Sequence, residues 1–227
     1  MQKYFITGTD TDVGKTLITR ILLTKVKQQG LKALAIKPLA AGGVTTMQGF
    51  QNEDATFFQQ ESSLQLPYTV INPYLLQDAL SPNIGAQRYD RILDAKEISQ
   101  TSAKAYHYPV DYLFIEGAGG WQVPINATQT MADVAQALNI PIIMVVGMRL
   151  GCLNHALLTA AQIRSQNLVL AGFIANQITP TPQTAYEENI ATLITHLKVP
   201  LLGKVPYSIN NNIAALTRYI DLSPTHT

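Results

Sequence analysis

The run Gly8-Thr9-Asp10-Thr11-Asp12-Val13-Gly14-Lys15-Thr16 carries two glycines, a lysine and a threonine at the spacing G-x5-G-K-T. That is a slightly long version of the phosphate-binding loop G-x4-G-K-[ST]. Residues 3–7, Lys3-Tyr4-Phe5-Ile6-Thr7, read as a short buried strand before it, and Leu17, Ile18, Ile21, Leu22 and Val26 follow at helical spacing. Strand, small-residue loop and helix in that order aim backbone N–H groups and a helix N-terminus at a bound anion. A phosphate as the anion gives Lys15 a role as a point charge and Thr16 a role as a hydroxyl within reach of Mg²⁺. A plain turn with a Thr or Asp helix cap would account for the acidic loop, but for neither Gly14 nor Lys15.

Other polar residues stand where apolar runs stop. Lys37 closes the second run before Pro38, Glu116 closes the third before Gly117-Ala118-Gly119-Gly120, and Asn176 closes a later one. Lys37 reads either as a solvated strand-end charge or as a second cation beside the phosphate site. Glu116 has the position of a Mg²⁺-binding acid after an apolar strand. Asp54, ahead of a predicted helix, reads as a cap or as a second acid. Gly147-Met148-Arg149-Leu150-Gly151-Cys152-Leu153-Asn154-His155 is either an ordinary strand-to-helix turn or a place where free N–H groups receive a carboxylate or phosphate. Cys152 reads as a small buried residue, and His155 alone is weak support for catalysis.

These residues need a scaffold that brings strand ends together. Runs at residues 33–37, 112–116, 142–146, 170–175 and 201–205 are continuous rather than alternating in hydrophobicity, as strands buried on both faces are. Helices are predicted near 86–106, 131–139, 152–166 and 184–196, giving an α/β fold: a doubly wound, mostly parallel sheet with helices on both faces. Ligands are then expected beyond the carboxyl ends of the strands. Residues 40–52 and 67–84 read as long loops at that edge.

The 227 residues, 47% hydrophobic and 14% charged, suffice for one large domain spanning 1–227. A net charge of +1 without a basic run argues against nucleic acid and for a small partner. The single cysteine and the lack of a charged-then-apolar leader point to a reducing cytoplasm. The apolar run 142–146 is far too short to span a bilayer.

Together, the phosphate loop, Lys37-Pro38, Glu116-Gly117-Ala118-Gly119-Gly120-Trp121, Val145-Val146-Gly147 with Leu150 to His155, and Pro200-Leu201-Leu202-Gly203 resemble the dethiobiotin synthetases in order along nearly the whole chain. The resemblance implies a usually dimeric, ATP- and Mg²⁺-dependent carboxylase-cyclase that closes a cyclic urea on 7,8-diaminopelargonic acid with CO₂. It implies that Asp12, Val13, Gly14, Lys15, Thr16 and Leu17 hold the nucleotide phosphates, with Thr16, Asp54 and Glu116 around Mg²⁺ and Gly117, Ala118 and Gly119 beside the nucleotide. Lys15 and Lys37 become the catalytic cations. Asn176, Gln177, Pro206, Tyr207 and Ser208 would meet the base. Thr11, Lys37 and Ala41 would meet the diamine, and Leu150, Gly151, Cys152, Leu153 and Asn154 its distant carboxylate across a dimer interface. Three residues depart from the family pattern: Asp12 replaces a common glutamate, Ala41 a usual serine, and Gln177 a common aspartate. A ParA/MinD-like ATPase switch shares such a loop but carries a second, earlier lysine that residues 9–13 lack. A cobyrinate-type amidotransferase would need a further glutaminase domain, and a non-catalytic nucleotide-binding module would bind without substrate-dependent turnover.

Overall fold

A computed structural model describes residues 1–210 and 212–226. The chain runs β1 (Gln2–Gly8), α1 (Lys15–Gln28), β2 (Ala33–Ile36), β3 (Leu39–Ala41), β4 (Val44–Thr46), β5 (Gly49–Gln51), α2 (Glu53–Glu61), α3 (Tyr68–Ile71), β6 (Tyr74–Leu76) and α4 (Pro82–Gln87). It continues through α5 (Ala95–Ala103), β7 (Tyr112–Gly120), α6 (Met131–Leu138), β8 (Ile142–Gly147), α7 (Cys152–Ser165), β9 (Leu170–Asn176), α8 (Tyr186–Leu197), β10 (Leu201–Val205) and α9 (Ile213–Leu216).

Six strands form one sheet in the order β10-β9-β8-β1-β7-β2, every neighbouring pair parallel. Their carboxyl ends therefore share one edge. β1 lies inside the sheet with β7 on one side and β8 on the other, and the chain passes from β7 to β8 across it. That crossing is the switch point at which doubly wound sheets open a crevice. Helices cover both faces: α1 packs on β1, β2 and β7 beside α2 and α9, α6 on β7 beside α5, and α7 on β8 and β9 beside α8. The continuous apolar runs fit this burial, since Phe5, Ile6, Leu113, Phe114, Ile115 and Ile142 to Val146 are all buried. No helix of the described residues is long and apolar enough to cross a membrane.

The segment expected as one helix over 86–106 is instead broken. α4 starts two residues after Leu80 with Pro82 in its first turn, where the missing N–H costs nothing, and ends at Gln87. Asp90 then takes φ +50°, and Asp94 begins a new helix by accepting from the Glu97 N–H at 2.9 Å. Apolar spacing does not register such a break because Ile84, Ile98 and their neighbours keep helical intervals on either side. The stretches expected as loops at 40–52 and 67–84 also hold structure: β3 pairs with β6 in parallel, and β4 and β5 form a small hairpin. Three-residue strands are too short for periodicity to reveal.

Glu116 likewise does not close its strand. β7 runs on to Gly120 because β1 continues to pair with it as far as Gly8↔Gly120, with a register shift after Ile6↔Glu116. The acid therefore sits within the sheet, wholly buried, rather than in the loop at its edge.

Candidate active site

The carboxyl edge holds a cleft of about 950 Å³. Thr11, Asp12, Gly14, Lys15, Thr16, Lys37, Ala41, Asp54, Ala118 and Gly119 line it, all candidates from the sequence. The loop between β1 and α1 carries two left-handed residues, Asp12 (φ +57°) and Gly14 (φ +90°), so that α1 begins at Lys15 with no side chain capping it. The N–H groups of that first turn are left for an anion. This removes the reading of the loop as a capped turn: the Asp10 carboxylate accepts from the Thr11 N–H at 2.8 Å and from Arg149 rather than capping α1.

Lys37 is 7% exposed, which overturns its reading as a solvated charge. Its Nζ donates to Asp54 Oδ2 at 2.5 Å and to Glu116 Oε1 at 2.8 Å. Burial by itself would lower the Lys37 pKa, but the two carboxylates outweigh it and hold the ammonium above the ordinary lysine value. Burial lowers the Lys15 pKa; Glu116 opposes this, while the Lys37 charge adds to it. The two ammonium groups thus share one electrostatic neighbourhood. Asp54 is not the cap of its helix. Asn52 is, accepting from the Ala55 N–H at 3.3 Å, and this leaves Asp54 in the first turn of α2 to reach Lys37.

Glu116 is held from three sides. Oε1 accepts from Thr16 Oγ1 at 2.9 Å as well as from Lys37, and Oε2 accepts from Thr19 Oγ1 at 2.7 Å. Thr19 was not singled out from the sequence, although it lies three residues beyond Thr16 and so on the same face of α1, which is a usable signal. Thr19→Val keeps the shape and removes the donor to a fully buried carboxylate. The expected loss is about 1.5–3 kcal/mol of stability, read from the midpoint of urea unfolding. An unchanged midpoint would mean that the hydroxyl does not hold Glu116.

Further lining residues were not singled out from the sequence. Ala79, Leu80, Ser81 and Pro82 line the cleft beside Ala40 and Ala41, along with Asn52 and Val123. The pairing of β3 with β6 brings residues 79–82 there; the sequence placed 67–84 at this edge as a loop but singled out no residue of it.

The remaining candidates fall outside the lining of this cleft. Val13 is buried in the core, Leu17 packs against it, and Gly117 is buried behind the sheet edge. Asn176 joins the phosphate loop from behind, its Nδ2 donating to the Val13 carbonyl at 2.9 Å. Its Oδ1 is buried without a partner among the described residues. The Gln177 N–H bonds the Val205 carbonyl at 2.9 Å, which sets residues 206–208 beside Asn176. The Gln177 side chain turns into its own loop, onto the carbonyls of Thr179 and Pro180. On the same chain, residues 150–154 do not reach the cleft: Leu150 is 95% exposed, while Cys152 is buried with its sulfur accepting from Gln183.

Asp54, Glu116 and Thr16 offer only oxygen donors, a set suited to Mg²⁺. Lys37 already bridges the two carboxylates, so the position tolerates a cation. Among the described residues no group of three or more His, Cys, Asp or Glu is placed to hold a metal, so any ion here would depend on the Thr16 hydroxyl and on groups brought by a ligand.

Comparison with known proteins places the chain. Residues 2–212 match the model of an AAA domain family. Among solved structures, the cell division ATPase MinD of Pyrococcus furiosus superposes with a TM-score of 0.58 at 15% identity, covering 96% of this chain and 95% of that one. Chloroplast FtsY of Physcomitrella patens gives 0.56 at 16% identity, covering 95% and 65%. At such identities the likeness is one of P-loop fold alone. The sequence relatives are more specific. The ATP-dependent dethiobiotin synthetase BioD of Cellvibrio japonicus is 42% identical over 97% of this chain and 96% of its own length. BioD 1 of Escherichia coli K12 is 40% identical over 98% of both. Identity of that degree along the whole length, on an edge where the phosphate loop, Lys37, Asp54 and Glu116 converge, is kinship rather than shared architecture, and the chain belongs to the family of ATP-dependent dethiobiotin synthetases.

Proposed function

We propose that this protein carboxylates 7,8-diaminopelargonic acid with CO₂ and closes it to dethiobiotin, using ATP and Mg²⁺, as a homodimer. The observation that carries the reading is the meeting of Lys15, Thr16, Lys37 and Asp54 on one cleft, with buried Glu116 directly beneath them.

In this reading a carbamate formed on one substrate amine attacks the γ-phosphorus, ADP leaves, and a carbamic-phosphoric anhydride results. The second amine then attacks its carbonyl carbon, and phosphate leaves as the urea ring closes and the amine gives up its proton. The N–H groups at the start of α1 and the Lys15 ammonium hold the phosphates. Lys37 donates to the oxygens on which negative charge accumulates during phosphoryl transfer. Thr16, Asp54 and Glu116 would hold Mg²⁺, which when bound supplies charge neutralisation on the phosphates. The Oδ1 of Asn176, without a partner among the described residues, is an acceptor suited to the amino group of adenine. The segment at 150–154, with Leu150, Gly151 and Asn154 exposed, would serve the substrate carboxylate of a second subunit.

Incubation with the diamine, bicarbonate, Mg²⁺ and ATP is expected to yield dethiobiotin by mass spectrometry. Turnover of ATP without that product would overturn the reading. The site's one missing hydroxyl gives a finer expectation. Ala41 leaves the cleft without the usual serine, which costs about 0.5–1.5 kcal/mol if that group makes one neutral hydrogen bond. Ala41→Ser is therefore expected to lower KM for the diamine several-fold with kcat little changed. An unchanged or higher KM would show that this part of the site has been rebuilt and that the family's serine contact does not carry over to this chain.

A further inference from the structure

Lys37 occupies an unusual place for a residue that is to act on substrate. Its ammonium lies between the two carboxylates assigned to the metal, in direct contact with both. Glu116 Oε1 has two lone-pair directions in the carboxylate plane, and the Thr16 hydroxyl and Lys37 take both. Oε2 is held by Thr19. A divalent ion approaching Glu116 would meet an oxygen already saturated with donors and a unit positive charge a few ångströms away. Neither obstacle yields to water, because Glu116 is fully buried and Lys37 nearly so. A polyphosphate changes the balance. It brings several negative charges to the cleft, giving the ammonium new acceptors and the metal new ligands.

We propose that Lys37 is a built-in counter-cation of the metal site. In the nucleotide-free protein it holds the position between Asp54 and Glu116, so that the site takes up a divalent ion only together with nucleotide, and the exchange swings Nζ off the carboxylates toward the reacting groups. The inference rests on the assignment of Asp54 and Glu116 to the metal. It gives Lys37 a second role, setting the order of loading, which is separable from its role in turnover. Lys15 is the other cation facing the pair, and its Nζ is tied to the Asp10 carbonyl at 3.3 Å, so it does not substitute for Lys37 between the carboxylates.

The test is Mn²⁺ binding to nucleotide-free protein, followed by electron paramagnetic resonance of the free ion. Lys37→Met removes charge and donor while keeping an unbranched chain, and it is expected to bind one Mn²⁺ at least about tenfold more tightly than wild type. Lys37→Arg keeps the charge and is expected to stay at the wild-type affinity. Adding Asp54→Asn to Lys37→Met is expected to abolish the gain. Should Lys37→Met not fold, Lys37→Gln takes its place. Wild type alone also suffices to overturn the inference: micromolar Mn²⁺ binding without nucleotide contradicts it, as does a Lys37→Met affinity equal to wild type. Failure of the underlying metal assignment looks different. Glu116→Gln is expected to raise the Mg²⁺ concentration for half-maximal dethiobiotin formation, and the fold should tolerate it, since the new amide can donate to Thr19 Oγ1 while that hydroxyl donates to the Lys15 carbonyl 3.0 Å away. An unshifted Mg²⁺ curve removes the assignment itself; a shifted curve with unchanged Mn²⁺ affinity in Lys37→Met removes only the counter-cation.

Discussion

Lys37→Ala is expected to lower turnover by on the order of 10²-fold or more while ATP binding stays within a few-fold, because the group acts on charge that develops in the transition state rather than on the bound nucleotide. The geometry adds a cost in stability. The variant strips one partner from a buried pair, and breaking such a pair by removing one member costs roughly 3–5 kcal/mol. The lower end applies, since Glu116 keeps Thr16 and Thr19 as donors and Asp54 reaches solvent. Circular dichroism at room temperature is therefore expected to be native, with melting about 10 °C lower for a chain of this size. Single-turnover kinetics with saturating ATP separate the two effects. Near-normal turnover would remove Lys37 from the chemistry, and an unchanged melting temperature would show that the buried pair is not a stabilising one.

Gly14→Ala is expected to reduce ADP affinity by about 10²-fold in isothermal titration. Two obstacles coincide at this position. Its φ of +90° lies where a Cβ is strained by roughly 1–2 kcal/mol. An added Cβ would also approach Asn176 Nδ2 within 2.2 Å, forcing that amide away from the Val13 carbonyl. The methyl group would thus disturb the phosphate loop and the candidate base site together. Gly151→Ala is the control, with nearly the same φ of +93° and nothing within 4 Å of the added atom. It is expected to show the strain alone, with nucleotide affinity unchanged. Equal losses in the two variants would mean that general destabilisation of the protein, not the packing of Asn176 on the loop, lowers nucleotide affinity.

Much of this protein was legible in order along the chain. The phosphate loop is local: strand, Gly14-Lys15-Thr16 and the apolar stripe of α1 fall within about thirty residues, and each part follows from spacing. The continuous runs of β7, β8 and β9 announced a buried parallel sheet, and a parallel sheet puts all strand ends on one edge. From these the sequence determined that Lys37, Glu116 and Asn176 would lie at the edge that carries the phosphate loop, and the matched motifs pointed to the family. What it could not determine was which of those groups touch. Glu116 meets Lys37 and Thr16 because β7 inserts between β1 and β2, a strand order that repeats of 2.0 and 3.6 residues do not encode. Asp54 reaches Lys37 because Asn52, two residues earlier, takes the cap. Residues 79–82 wall the cleft because three-residue strands pair across more than thirty positions, and the break at 88–94 depends on one left-handed Asp90 and one capping Asp94. Local patterns record which face of an element is apolar. Whether a buried carboxylate ends in the sheet, saturated by two hydroxyls and an ammonium, is decided only when the elements pack and every buried charge must find its partners.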